Sequence, residues 1–114
     1  MKLVLNKDYG GFGISKEAYD YMGVETERLP SSYDSSGKPL TYFDIYYPIE
    51  KEHEDYRYNS RLIEFIENNL GNPNGKYSSL EVIEIPDDFT DMEIDDYDGY
   101  ETAIYVLNGK IHRA

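Results

Sequence analysis

Hydrophobic positions along this chain follow two kinds of spacing. Leu62, Ile63, Phe65, Ile66 and Leu70 recur at helical intervals, with Arg61, Glu64 and Asn68 on the other side. That spacing predicts an amphipathic helix from Ser60 to Leu70 with a core-facing stripe. Asn59 or Ser60 supplies an N-cap, and Gly71 with the turn cluster Asn72-Pro73-Asn74-Gly75 supplies the stop. The other apolar runs are short and strand-like. They are Leu3-Val4-Leu5, Leu40 to Tyr47 closed by Pro48, Leu80 to Ile85 closed by Pro86, Met92 to Tyr97, and Tyr100 to Leu107. The last two flank Asp98-Gly99, a dipeptide suited to a type I′ hairpin turn, and Asn108-Gly109 gives another turn before a short tail.

A shorter helix, Lys16 to Met22, follows the glycine-rich turn Tyr9-Gly10-Gly11-Phe12-Gly13. Ser15 is its N-cap, Ile14 and Tyr19 form a hydrophobic staple, and Gly23 is its C′ residue. Residues 28–39 carry Pro30, Pro39, Gly37 and four serines, and read as a flexible loop. These elements predict one α+β domain over residues 1–114. Its antiparallel or mixed sheet has about four to five strands, and two helices pack on it. The longer helix packs through Leu62, Phe65, Ile66 and Leu70, with Leu80 to Ile85 as its strand partner.

Composition narrows the function classes. With 39% apolar residues in 114, the chain has enough hydrophobic material for one modest core. There is no Cys, which excludes disulfides, thiolate metal sites and thiol catalysis. The start, Met1-Lys2-Leu3-Val4-Leu5-Asn6, turns polar too soon for a signal peptide, and no run reaches membrane-spanning length, so a cytoplasmic location is expected. The formal net charge of -12 argues against direct binding to nucleic acid or to an anionic membrane, both of which call for a basic surface.

The charge is concentrated. Between Tyr77 and Gly109 there is no Lys or Arg, while that window holds ten carboxylates. Asp87, Asp88, Asp91, Glu93, Asp95, Asp96 and Asp98 form an acidic ribbon, the candidate partner-binding surface. Ordinary solvated faces mix both signs, because a single-sign field repels itself. On a strand, Glu93 and Asp95 point one way, leaving Met92, Ile94 and the hairpin partners Ile104 and Val106 to face the core.

No catalytic motif is present. The two histidines, His53 and His112, are far apart in sequence and sit in no recognisable motif. The ribbon fails as a calcium loop, since Ile94 and Tyr105 stand where Asp and Glu are required. No cofactor or metal is implied. The glycine-rich turn matches neither the dinucleotide fingerprint nor the P-loop and reads as a tight strand-to-helix connection. An alternative anion or nucleotide site would combine Arg57, Tyr58, Arg61 and Arg113, with the ring stacking on a base and the guanidiniums on phosphates.

Several stretches together resemble a set of small acidic proteins encoded in phages and prophages. They are Tyr9-Gly10-Gly11-Phe12-Gly13-Ile14-Ser15, Leu62-Ile63-Glu64 with Asn69-Leu70-Gly71, Val82 to Asp88, and Glu93 to Glu101. The resemblance implies a phage setting and counter-defence. On it, the expected function is non-catalytic inhibition of a bacterial nucleic-acid-acting defence complex, in the manner of anti-CRISPR proteins, by an acidic surface seated in a basic groove. The alternatives are a sponge for a small cyclic nucleotide signal, of anti-Thoeris or anti-CBASS type, and a phage assembly or enzymatic accessory protein. A homo-oligomer is compatible with each.

Overall fold

Three apolar residues in a row, Leu3, Val4 and Leu5, are fully buried, which requires cover on both faces of their strand. The computed structural model describes residues 1–50 and 56–114 and supplies that cover. Strand β1 (Lys2–Asn6) pairs antiparallel with β4 (Leu80–Glu84), Val4 opposite Val82. Val4 faces one cluster with Ile14, Ala18, Tyr19, Met22, Leu62, Phe65 and Leu80, most of it supplied by helices α1 (Lys16–Met22) and α2 (Ser60–Glu67). Leu3 and Leu5 face a second cluster with Ile85 and Ala103, against the sheet β5 (Asp91–Tyr97), β6 (Tyr100–Leu107) and β7 (Lys110–Arg113). The result is an α+β stack of helices, a two-stranded ribbon and a three-stranded sheet in strand order β5-β6-β7.

The caps follow local chemistry. Ser15 Oγ accepts from the Ala18 N–H at 3.1 Å, Gly23 closes α1 with φ 77°, and Ile14 and Tyr19 are both buried. Burial beside Tyr56 pushes the Tyr19 hydroxyl up to about 12. Asn59 Oδ1 accepts from the N–H groups of Arg61 and Leu62 at 2.9 and 3.1 Å. Helix α2 ends earlier than its apolar stripe suggests. Asn69 takes φ 51°, and the Leu70 N–H returns to Phe65 O at 3.1 Å, so Asn69 rather than Gly71 is the left-handed terminator. Leu70, expected in the core, is thereby turned outward and is 49% exposed.

Two further expectations change. Among the described residues all pairing is antiparallel, but seven strands divide among three small sheets instead of forming one sheet of four or five. Residues 28–39, expected as a flexible loop, belong largely to a hairpin. Strand β2 (Thr26–Tyr33) pairs with β3 (Pro39–Pro48), with register shifts at Arg28/Pro30, Pro30/Ser32 and Ser32/Tyr33. Pro30, Ser31 and Ser32, which suggested a loop, sit at those irregularities, where a lost ladder bond matters least. Only residues 34–38 form the turn. There Asp34 Oδ1 accepts from the Ser36 and Lys38 N–H groups, and the Ser36 hydroxyl holds its carboxyl below the usual value.

Phe65 is 4% exposed in the helix-side cluster, its ring tilted against that of Tyr21 with centroids 5.4 Å apart. Phe65→Ala is expected to lower unfolding free energy by about 3–5 kcal/mol in urea titration, with an unchanged m-value.

Candidate functional site

The acidic hairpin is built on local turn chemistry and anchored by a buried ion pair. Asp98 and Gly99 have φ 50° and 90°, the type I′ geometry that Asp-Gly favours. Asp96 Oδ1 accepts the Gly99 N–H at 2.8 Å and braces the turn. The tip then docks on the glycine-rich segment, where the Gly10 N–H donates to Asp98 O at 2.9 Å. A Cβ at Gly99 would lie 2.1 Å from Gly11 N, and one at Gly10 would lie 2.7 Å from Tyr77 O. The glycines of Tyr9-Gly10-Gly11-Phe12-Gly13 thus serve backbone packing against the hairpin tip and the 75–77 segment.

Behind the tip lies a polar core. Glu101 is 2% exposed, and its two oxygens take both terminal nitrogens of Arg57, at 2.6 and 2.5 Å. Oε1 also accepts the Asn6 N–H at 2.8 Å. Fully buried Asn6 completes the knot. Its Nδ2 donates to Asp8 O and Gly99 O, and its Oδ1 accepts the Ser79 N–H. The guanidinium also lies 4.4 Å from the Phe12 ring. Lys7 Nζ donates to Glu101 O at 2.7 Å and to Ala114 O at 3.1 Å. These contacts join β1, the 3-10 turn Tyr56–Tyr58, the glycine-rich segment and β6.

Register decides which ribbon residues reach solvent. Ile94 lies opposite Ala103 and Met92 opposite Tyr105, and these face the sheet-side core. Asp91, Glu93 and Asp95 occupy the other face, opposite Val106, Ile104 and Thr102, and all three are exposed. Ile104 and Val106, expected to point inward, are therefore on the carboxylate face. Residues directly opposite in an antiparallel pair share a side of the sheet, and the inward residues of β6 are Glu101, Ala103 and Tyr105. The outer face is a row of three carboxylates about 7 Å apart, flanked by half-buried aliphatic side chains.

Asp87 and Asp88 extend the charge at one end, and Asp96 and Asp98 at the other; all four are exposed. Asp87 pairs with the Met1 ammonium. Among the described residues, Asp88, Asp91, Glu93, Asp95, Asp96 and Asp98 form no ion pair within 4 Å.

The alternative anion pocket is not assembled. Arg57 is committed to Glu101 on the inner face of β6. Arg113, opposite Ile104, lies on the outer face of that sheet. Arg61 donates to Tyr21 O at 3.2 Å and covers the Tyr21 ring, while Tyr58 sits in the 3-10 turn before α2. Glu101 lies inward with Ala103 and Tyr105, a facing that follows from the register with β5 and not from the apolar pattern of β6, which pointed Ile104 and Val106 inward. His112 stacks on Tyr105 at 5.3 Å, and His53 lies outside the described residues.

A cleft of about 770 Å³ opens between the glycine-rich segment, Asp44 to Tyr46 and the 72–77 segment. Several of its polar groups have internal partners. Lys16 pairs with Asp20, Glu17 accepts the Asn72 N–H, and Asn74 accepts the Leu80 N–H. Among the described residues, no group of three or more His, Asp or Glu side chains is arranged to hold a metal ion. Nor is any helix among them long and apolar enough to cross a membrane. No protein-family model, curated protein or solved structure matches this chain.

Proposed function

We propose that this protein is a non-catalytic inhibitor, phage-encoded and acting in the host cytoplasm, whose acidic hairpin occupies the basic groove of a nucleic-acid-acting defence protein. The observation that carries this reading is the exposed row Asp91, Glu93 and Asp95, continued by Asp88 and Asp98, with no cation paired to it among the described residues. Carboxylates repeating along a rigid strand offer a lysine- and arginine-lined groove what a nucleic-acid backbone offers, a line of anions at regular spacing. The hairpin is held by the Glu101–Arg57 knot and the docked tip, so little ordering cost attends binding. The phage setting rests on the sequence resemblance.

The reading is tested by capture from a phage-restricting host lysate at low and high salt, followed by mass spectrometry. A basic nuclease or nucleic-acid-binding subunit retained at low salt and released at high salt supports it. Capture of no such protein, or of one indifferent to salt, contradicts it. A bound nucleotide released on denaturation, absorbing at 260 nm, would favour the cyclic-nucleotide alternative instead.

The same reading predicts no turnover. Purified protein incubated with nucleotides, cyclic oligonucleotides or nucleic acid is expected to match buffer. Hydrolysis above buffer that His112→Ala or His53→Ala abolishes would contradict a non-catalytic role.

A further inference from the structure

The β2–β3 hairpin is an arm whose distal half has no cover among the described residues. Six consecutive β3 residues, Pro39 to Asp44, are exposed. A strand with one covered face would alternate, so here neither face is covered. Five of the twelve exposed large apolar side chains among the described residues, Leu29, Tyr33, Leu40, Tyr42 and Phe43, sit on this arm. The arm packs chiefly on itself and reaches the helix-side cluster through Tyr46. Two-stranded hairpins alone are marginal in water, and among the described residues this one has no third strand to hold it.

The surface this fold leaves uncovered is that of half an interface. The chain exposes 7433 Å², whereas a compact monomer of 13.3 kDa exposes about 6,450 Å². The excess, ~1,000 Å², is close to the ~800 Å² that each partner contributes to a standard interface. The radius of gyration is 16.4 Å against about 13 Å for a compact chain of this length.

We infer that the arm joins two copies of this chain, β3 edge against β3 edge, to make a twofold-symmetric four-stranded sheet. Charge selects the occupant. The arm carries Glu27, Asp34 and Asp44 against Arg28 and Lys38, leaving -1 of the chain's -12. Two copies approaching by any face that includes the ribbon oppose like charges; by the arm they meet nearly neutral and largely apolar. Sequence selects the edge. β2 carries Pro30 with Glu27 and Arg28, features that discourage edge pairing, whereas β3 from Leu40 to Tyr47 has no proline and one charge, Asp44. A twofold axis near Tyr42 places Asp44 across from Leu40 rather than from its own copy, and isologous antiparallel pairing satisfies both edges at once. The dimer would present two acidic hairpins and does not depend on what they bind.

Sedimentation equilibrium over a concentration series, at low and high salt, tests this. The expected result is a two-chain mass at micromolar concentration, with association unchanged or stronger at high salt, since screening removes the repulsion that remains. Leu40→Glu with Phe43→Glu, both exposed in the single chain, is expected to weaken association on the order of 100-fold while far-ultraviolet circular dichroism is retained. Ile111→Glu, at an exposed apolar position on β7, is expected to leave the dimer intact. A wild-type monomer throughout the series, association that falls with salt, or dissociation by Ile111→Glu but not by the arm variant would each overturn the inference.

Discussion

Arg57→Ala is expected to destabilise the protein by about 3–5 kcal/mol, because it leaves the Glu101 carboxylate at 2% exposure without its cation. For a chain of 114 residues that corresponds to a fall in melting temperature of about 12–20 °C. The cost is of stranding a buried charge more than of losing an attraction, and a second variant separates the two. Arg57→Met with Glu101→Gln removes both charges, keeps an oxygen to accept the Asn6 N–H, and keeps an unbranched apolar side chain to lie against Phe12. It is expected to recover more than half of the loss, as replacement of buried ion pairs often does. Thermal and urea unfolding of the two variants side by side checks this. Equal losses in both would mean that the ion pair itself, and not its desolvation, holds the hairpin.

What the sequence showed and what it hid divide along physical lines. Caps and turns are local chemistry, so Ser15, Gly23, Asp98-Gly99 and Asn108-Gly109 could be read from the chain, and of Asn59 and Ser60 the structure uses Asn59 as the second N-cap. The α+β class followed from the two periods of the apolar pattern. Leu3-Val4-Leu5 read as a strand, but that it is covered on both faces depends on β6, about a hundred residues away. Glu101 looked like one more acid in an acidic run. Its burial becomes visible only with the register that aligns it inward beside Ala103, and with Arg57 brought over by the 3-10 turn. The same register reversed the expectation for Ile104 and Val106. A one-residue shift in a strand exchanges its faces, and alternation of acids in β5 does not fix the facing of β6. The arm was hidden by its prolines and serines, which mark irregular pairing as readily as loops.

The largest functional effect is expected from reversing charge on the outer row. Asp88→Lys, Asp91→Lys, Glu93→Lys and Asp95→Lys together change net charge by +8, from -12 to -4. Asp96 and Asp87 are left in place because they brace the turn and the Met1 ammonium. One exposed carboxylate contributes only about 0.2–1 kcal/mol, since salt screens it, so single substitutions should do little. Four together invert the field that steers a basic partner, and association is expected to slow by about 10- to 1,000-fold at low salt. Stability should be unchanged or higher, because relieving self-repulsion favours the compact state.

That variant gives the most direct measurement: its association rate with the captured host protein, beside the parent, across a range of salt. An acidic hairpin seated in a basic groove predicts a parent rate that falls steeply with salt, and a variant rate that is low and nearly flat. The same rate and the same salt dependence for both, from a variant with an undiminished melting temperature, would reduce the ribbon to a solubility device.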